Sequence, residues 1–174
     1  MALNTLPPGA FADDAITSDK INLANNFAFT GTVTGAAKIG QIVYGQTGTQ
    51  VSSSSNSYVD TGITATITPS ATSSTIQIFV GIMGLQSAGT ANARMDFQIL
   101  RAGSGITTSG ANMWDQSGNN THRNGGFAMN FKDSPSSTSS LIYKVQFKAV
   151  EGTCEVQRDG NSGFSTITLI EVLA

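Results

Sequence analysis

The chain contains one histidine and one cysteine, so its capacity for nucleophilic or thiolate chemistry is quickly weighed. A catalytic cysteine needs an adjacent base to take its proton. Cys154 sits between Thr153 and Glu155 in an alternating segment, and no motif joins it to His122. Cys154 therefore reads as a small, buried, inert residue. A lone cysteine closes no intrachain disulfide and a lone histidine builds no multi-histidine metal site. Asp115, Ser117 and Asn119 are spaced like the start of a calcium loop, but Gly126 stands where the closing bidentate Glu belongs. The neighbouring Asp13 and Asp14 read as surface residues or a helix cap rather than as a metal pair. Gly103 and Gly105 lack the third glycine and the helix of a dinucleotide fingerprint. A two-carboxylate glycosidase needs only acidic residues, and no convincing pair presents itself. The expectation is a protein that is not an enzyme, with no catalytic residue, no cofactor and no metal.

One stretch has the composition of a recognition site. Trp114, Asp115, Gln116, Asn119, His122 and Arg123 lie within the Gly-, Ser- and Asn-rich segment 102–126. An indole can stack on a sugar ring, and amides can hydrogen-bond its hydroxyls. This would be a receptor loop for a host-surface glycan. The plainer reading, which carries more weight, is a solvated loop with Trp114 tucked against the domain.

The elements that must position these residues are set by an unusual composition. Charged residues make up 11% of the 174-residue, 18.0 kDa chain, against about 25% in ordinary soluble domains. Ser and Thr supply about a quarter of it, and 19 glycines add to the uncharged polarity. A net charge of −2 disfavours a nucleic-acid binder, which needs clustered Lys and Arg to neutralise phosphates. No stretch approaches the roughly 18 apolar residues of a membrane span, and Met1-Ala2-Leu3 opens no basic, apolar leader. Neither nucleic acid nor membrane is expected as a partner.

Residues 1–38 differ from the remainder. Pro7-Pro8-Gly9 favours extended or turn backbone, and the apolar residues Leu3, Leu6, Phe11, Ile16, Ile21, Leu23, Phe27 and Phe29 are sparse. Such a segment cannot form a core of its own. It reads as an attachment arm laid on a partner.

From residue 39 onward the period is two. Ile63, Ala65 and Ile67 alternate with threonines; Met95, Phe97 and Ile99 alternate with Arg94, Asp96 and Gln98. Leu141, Tyr143, Val145, Phe147 and Ala149 give the clearest run, and Phe127, Met129 and Phe131 another. Thr75 to Met83 is apolar on one face and carries Phe79 and Met83 on the other, so a second burial surface is expected there. Glu151-Gly152 reads as a hairpin turn into Cys154 and Val156. Glu171 points with Ile167 and Leu169 on the last strand; if buried, it needs a cation such as Arg94, Arg101 or Arg158. Residues 51–56, 102–126 and 134–140 read as polar loops. With no crossover helices, the expected class is all-β: an antiparallel, jelly-roll-like β-sandwich of about eight strands over residues 39–174, with the arm extended before it.

Several phrases are familiar in sequence. They include Leu6-Pro7-Pro8-Gly9-Ala10-Phe11, Asp14-Ala15-Ile16-Thr17-Ser18-Asp19-Lys20-Ile21 and Phe27-Ala28-Phe29-Thr30-Gly31-Thr32-Val33-Thr34-Gly35. Tyr58-Val59-Asp60-Thr61-Gly62, Ile67-Thr68-Pro69-Ser70-Ala71-Thr72-Ser73-Ser74-Thr75-Ile76, Tyr143-Lys144-Val145-Gln146-Phe147 and Ser165-Thr166-Ile167-Thr168-Leu169-Ile170-Glu171-Val172 follow in the same order. Across nearly the whole chain this succession resembles virion structural proteins of tailed bacteriophages, especially head-decoration, head-fibre and tail-fibre proteins of aquatic phages. The resemblance implies a homotrimeric β-rich domain with an N-terminal attachment arm and supplies no catalytic residues. A chain without a long repetitive shaft points to a capsid decoration or cement protein. It would sit on the capsid exterior, bind the major capsid protein through its arm, and be assembled in the host cytoplasm. The alternative is a tail-fibre or tail-spike tip, docked to a tail or baseplate protein and reading a host glycan through the Trp114 loop. In either case Phe79 and Met83 are expected at the contact between subunits.

Overall fold

The structure, a computed structural model, describes residues 38–87, 94–109, 125–158 and 163–173. The described residues form ten strands and no helix: β1 (Lys38–Thr47), β2 (Val51–Ser53), β3 (Val59–Ile67), β4 (Thr75–Ser87), β5 (Arg94–Arg101), β6 (Ser104–Ser109), β7 (Gly125–Asp133), β8 (Leu141–Glu151), β9 (Cys154–Val156) and β10 (Ser165–Leu173).

The pairing follows one rule. The chain runs out through β1, β3, β4 and β5, turns at Ala102-Gly103, and returns through β6, β7, β8 and β10. Each returning strand lies antiparallel to its outgoing counterpart: β5 with β6, β4 with β7, β3 with β8, β1 with β10. This doubled ribbon is rolled so that successive pairs fall on alternate sheets. The first sheet runs β1-β10-β4, with β7 on the far side of β4. The second runs β3-β8-β5-β6. That is a jelly roll, built from eight long strands. The short β2 and β9 extend the first sheet beyond the end of β4.

The buried sides of the two sheets make the core. Ile76, Ile78, Val80, Ile82, Ile167 and Leu169 of the first face Ile63, Ile67, Met95, Phe97, Ile99, Val145 and Phe147 of the second, all nearly inaccessible to solvent. Burial of each such side chain is worth about 1.5–3 kcal/mol. Phe97 stacks on Phe127 of the opposite sheet with ring centroids 5.1 Å apart. Gly45 lets β1 pass close over β3, since a Cβ there would run into the Thr64 carbonyl. The two sheets thereby approach at that edge.

Four sequence expectations are corrected. Residues 51–56 contain β2, whose three residues pair with β9; a run of serines shows no period, and the pairing supplies the order. Residues 102–126 contain β6, paired with β5 through a tight turn. Glu151-Gly152 does not make a hairpin: β8 belongs to the second sheet, while β9 pairs with β2 and β4 in the first. The turn is a corner between sheets, with Gly152 at φ 72°. Finally, β4 continues past Met83 to Ser87. A bulge at Gly84, φ 61°, shifts the alternation so that Leu85 is again buried.

Candidate interaction face

The two outer faces of the sandwich differ sharply in chemistry. On the second sheet, polar and charged residues alternate outward and are paired. Lys144 Nζ lies 2.9 Å from Asp60, Lys148 Nζ 3.5 Å from Asp96 and Arg94 3.3 Å from Glu151. Lys148 also stands 5.2 Å over the Tyr58 ring. This face is mostly charged and polar, with Ile142 and Val150 as its exposed apolar residues.

The first sheet presents something else. The register builds rows across its outer side. Tyr44 pairs with Thr168, Thr168 with Phe79, and Phe79 with Asn130. The next row is Ile42, Ile170, Gln77 and Lys132. The one on the other side is Gln46, Thr166, Gly81 and Ala128. Phe79 is 44% exposed, Met83 43%, Tyr44 56% and Ile42 60%. Among the described side chains of these four strands, Lys132 is the one charge facing outward, and it lies on the outermost strand. A contiguous apolar and hydroxyl surface of this kind is the chemistry of a candidate interaction face.

Phe79 and Met83 therefore lie where the sequence placed them, on the outer side of β4. Ile42, Tyr44, Ile170 and Val172 share that side and were missed. The signal was available in β10: Ile170 and Val172 alternate with Ile167 and Leu169, so that strand is apolar on both sides, as β4 is.

Two buried polar clusters hold the face in place. Glu171 is fully buried on β10, and no cation among the described residues meets it; the expected arginine partner is corrected. Its carboxylate accepts Gln41 Nε2 at 2.7 Å, the Ser70 amide at 2.6 Å and the Ser70 hydroxyl at 2.7 Å. Burial pushes its pKa up, but the bonds from Gln41 and Ser70 outweigh this and hold it at about 2. Gln41 also donates to the Thr68 carbonyl at 2.7 Å, so this one carboxylate fastens the loop before β4 to β1 and β10. In the second cluster, Asp133 of β7 accepts Arg101 Nη1 at 2.7 Å and the Tyr143 hydroxyl at 2.7 Å. It ties the first sheet to β5 and β8 of the second.

Cys154 is buried, with its thiol pushed up to about 11 by desolvation, as an inert cysteine should be. The arm residues Leu3, Leu6, Phe11, Ile16, Ile21, Leu23, Phe27 and Phe29 lie outside the described residues. So do the receptor-loop residues Trp114, Asp115, Gln116, Asn119, His122 and Arg123, and the carboxylates Asp13 and Asp14. Lys38, assigned to the arm from sequence, opens β1.

No protein-family model and no curated protein matches the chain. Among solved structures, the crystal structure of the infectious bursal disease virus VP2 subviral particle aligns with 86% of this chain at 12% identity and a TM-score of 0.41. The aligned part spans 42% of that neighbour's length.

Proposed function

We propose that the chain is a non-enzymatic virion structural protein: a homotrimeric decoration, cement or head-fibre subunit on the exterior of a bacteriophage capsid. The observation that carries this reading is the outer face of the first sheet. Three copies packed around an axis with these faces inward would bury Phe79 near the centre. Each copy's β1 edge, with Ile42 and Tyr44, would then meet a neighbour's β7 edge, with Ala128 and Asn130. No like charges oppose one another, because the face is nearly free of charge. Strand spacing and rise give four strands of about seven residues a footprint of roughly 20 by 24 Å. That is about 480 Å² of flat sheet, somewhat over half of the roughly 800 Å² that one partner gives to a standard interface. The charged outer face of the second sheet would remain in water.

In this reading the arm, residues 1–38, holds the trimer to the major capsid protein. Three arms acting together multiply a weak attachment into a strong one. A shell bound at many such points resists disassembly by mass action. Immunogold labelling of particles that carry the chain tests the location. Label spread over the shell is expected. Label at a single vertex would indicate a tail protein instead, and no label on particles would contradict a virion role.

A further inference from the structure

We propose that the outer face of the second sheet carries a binding site for neutral oligosaccharides, centred on Asp60, Lys144 and Gln146. The site lies on the opposite side of the sandwich from the subunit face and does not depend on the oligomeric reading.

The geometry begins with backbone. β3 is bulged between Asp60 and Thr64, with Gly62 at φ 83°. The β5–β6 turn, Ala102-Gly103, stands on the other side of β8 with φ of 48° and 87°. Between these two rims lies a groove of about 440 Å³, floored by β8 and walled by Leu100, Ala102 and Ile142. A smaller hollow at Gly62 and Thr64 adjoins it and shares Asp60 and Lys144. The volume falls within the roughly 300–1,000 Å³ of small-ligand sites.

The chemistry of the groove narrows the ligand. Asp60 Oδ2 accepts Lys144 Nζ at 2.9 Å, and Asp60 Oδ1 accepts Gln146 Nε2 at 2.6 Å. Gln146 Oε1 in turn accepts Gln98 Nε2 at 2.7 Å. The ladder fixes each group while leaving capacity outward: each carboxylate oxygen has a further lone pair, and the ammonium further N–H donors. The bonds from Lys144 and Gln146 lower the Asp60 pKa, so the carboxylate is an acceptor at neutral pH. An anionic ligand is disfavoured because Asp60 neutralises Lys144, the one cation among the described residues lining the groove. A metal ion is disfavoured because Lys144 already occupies the carboxylate. A polyhydroxylated, uncharged molecule suits what remains. Vicinal hydroxyls can donate to Asp60 and accept from Lys144, while the C–H face of a ring rests on Ile142, which is 48% exposed.

The turn adds an independent sign. Two successive residues of positive φ make a type I′ turn, in which Asn or Gly is the relaxed choice for the first. Ala102 holds that position, with its amide donating to the Ile142 carbonyl at 2.9 Å. It gives the groove a small apolar lip at some conformational cost, and such cost gathers at working sites.

The test is a printed array of neutral oligosaccharides probed with the full chain, followed by solution titration of the best ligand. At least one neutral saccharide is expected to bind. Affinity should fall at least tenfold in Asp60→Ala and in Gln146→Ala, and hold in Glu151→Ala, an exposed carboxylate at the far end of β8. Thermal melts keep the variants interpretable, since Asp60 is surface-exposed and its loss leaves the core intact. No neutral saccharide bound better by the wild type than by Asp60→Ala would overturn the proposal. So would binding confined to sulfated or sialylated saccharides that survives Asp60→Ala, which would mark Lys144 as a simple anion contact.

Discussion

At the scale of single residues, Glu171 decides most. It is a buried carboxylate with no counter-ion among the described residues, held ionised by neutral donors from β1 and the loop before β4. Its folded pKa of about 2 lies below the ordinary glutamate range. Its contribution to stability is therefore complete above that range and fades as pH falls toward about 2. Glu171→Gln turns an amide toward a donor and should cost about 1–3 kcal/mol at neutral pH. Urea unfolding at several pH values reads both effects: the wild type loses its advantage over the variant on acidification. A difference that stays constant from neutral pH down to the acid limit would exclude an ionised Glu171. The sequence made half of this legible. The alternation put Glu171 on the core side with Ile167 and Leu169, but its partners, Gln41 and Ser70, are about a hundred residues or more away in the chain. Nothing local distinguishes a serine amide from a distant arginine as the compensating group.

At the scale of elements, backbone geometry at two positions makes opposite predictions. Gly84 carries a positive φ, and a Cβ there would sit 2.6 Å from the Arg158 amide nitrogen. Gly84→Ala should destabilise by about 1–3 kcal/mol and disturb the pairing of β4 with β9. Ala102 holds a φ that glycine prefers, in an exposed turn. Ala102→Gly should therefore leave stability unchanged or raise it by up to about 1 kcal/mol. Thermal unfolding of the two variants side by side checks the pair. The same scale shows why some strands were readable and others not. β3 and β8 alternate strictly, and β5 does so as far as Ile99, because one side faces the core and the other faces water. β2 and β6 are short, rich in Ser, Thr and Gly, and owe their existence to pairing with β9 and β5. Pairing is a long-range property and leaves no local period.

At the scale of the whole molecule, the low charge acquires a place. The fold gathers ion pairs onto the second sheet and leaves the outer side of the first nearly bare. Composition announced the scarcity, and the both-sided apolar pattern of β4 announced part of the face. The rest needed the roll of the chain, which brings β1 and β10 beside β4. Phe79→Glu should leave the folded subunit within about 0.5 kcal/mol of the wild type, because the side chain is partly exposed there, and should act on assembly alone. Removing residues 1–37, which stops short of β1, should leave the β-domain folded and trimeric while abolishing attachment to capsids, measured by co-sedimentation with purified shells. The most direct measurement of the central claim is the mass of the full chain in solution by multi-angle light scattering. The account predicts a wild-type particle of three times the 18.0 kDa chain mass and a folded Phe79→Glu subunit at the chain mass itself. A wild type that stays at the single-chain mass at high concentration, or a Phe79→Glu variant that assembles undiminished, would contradict it.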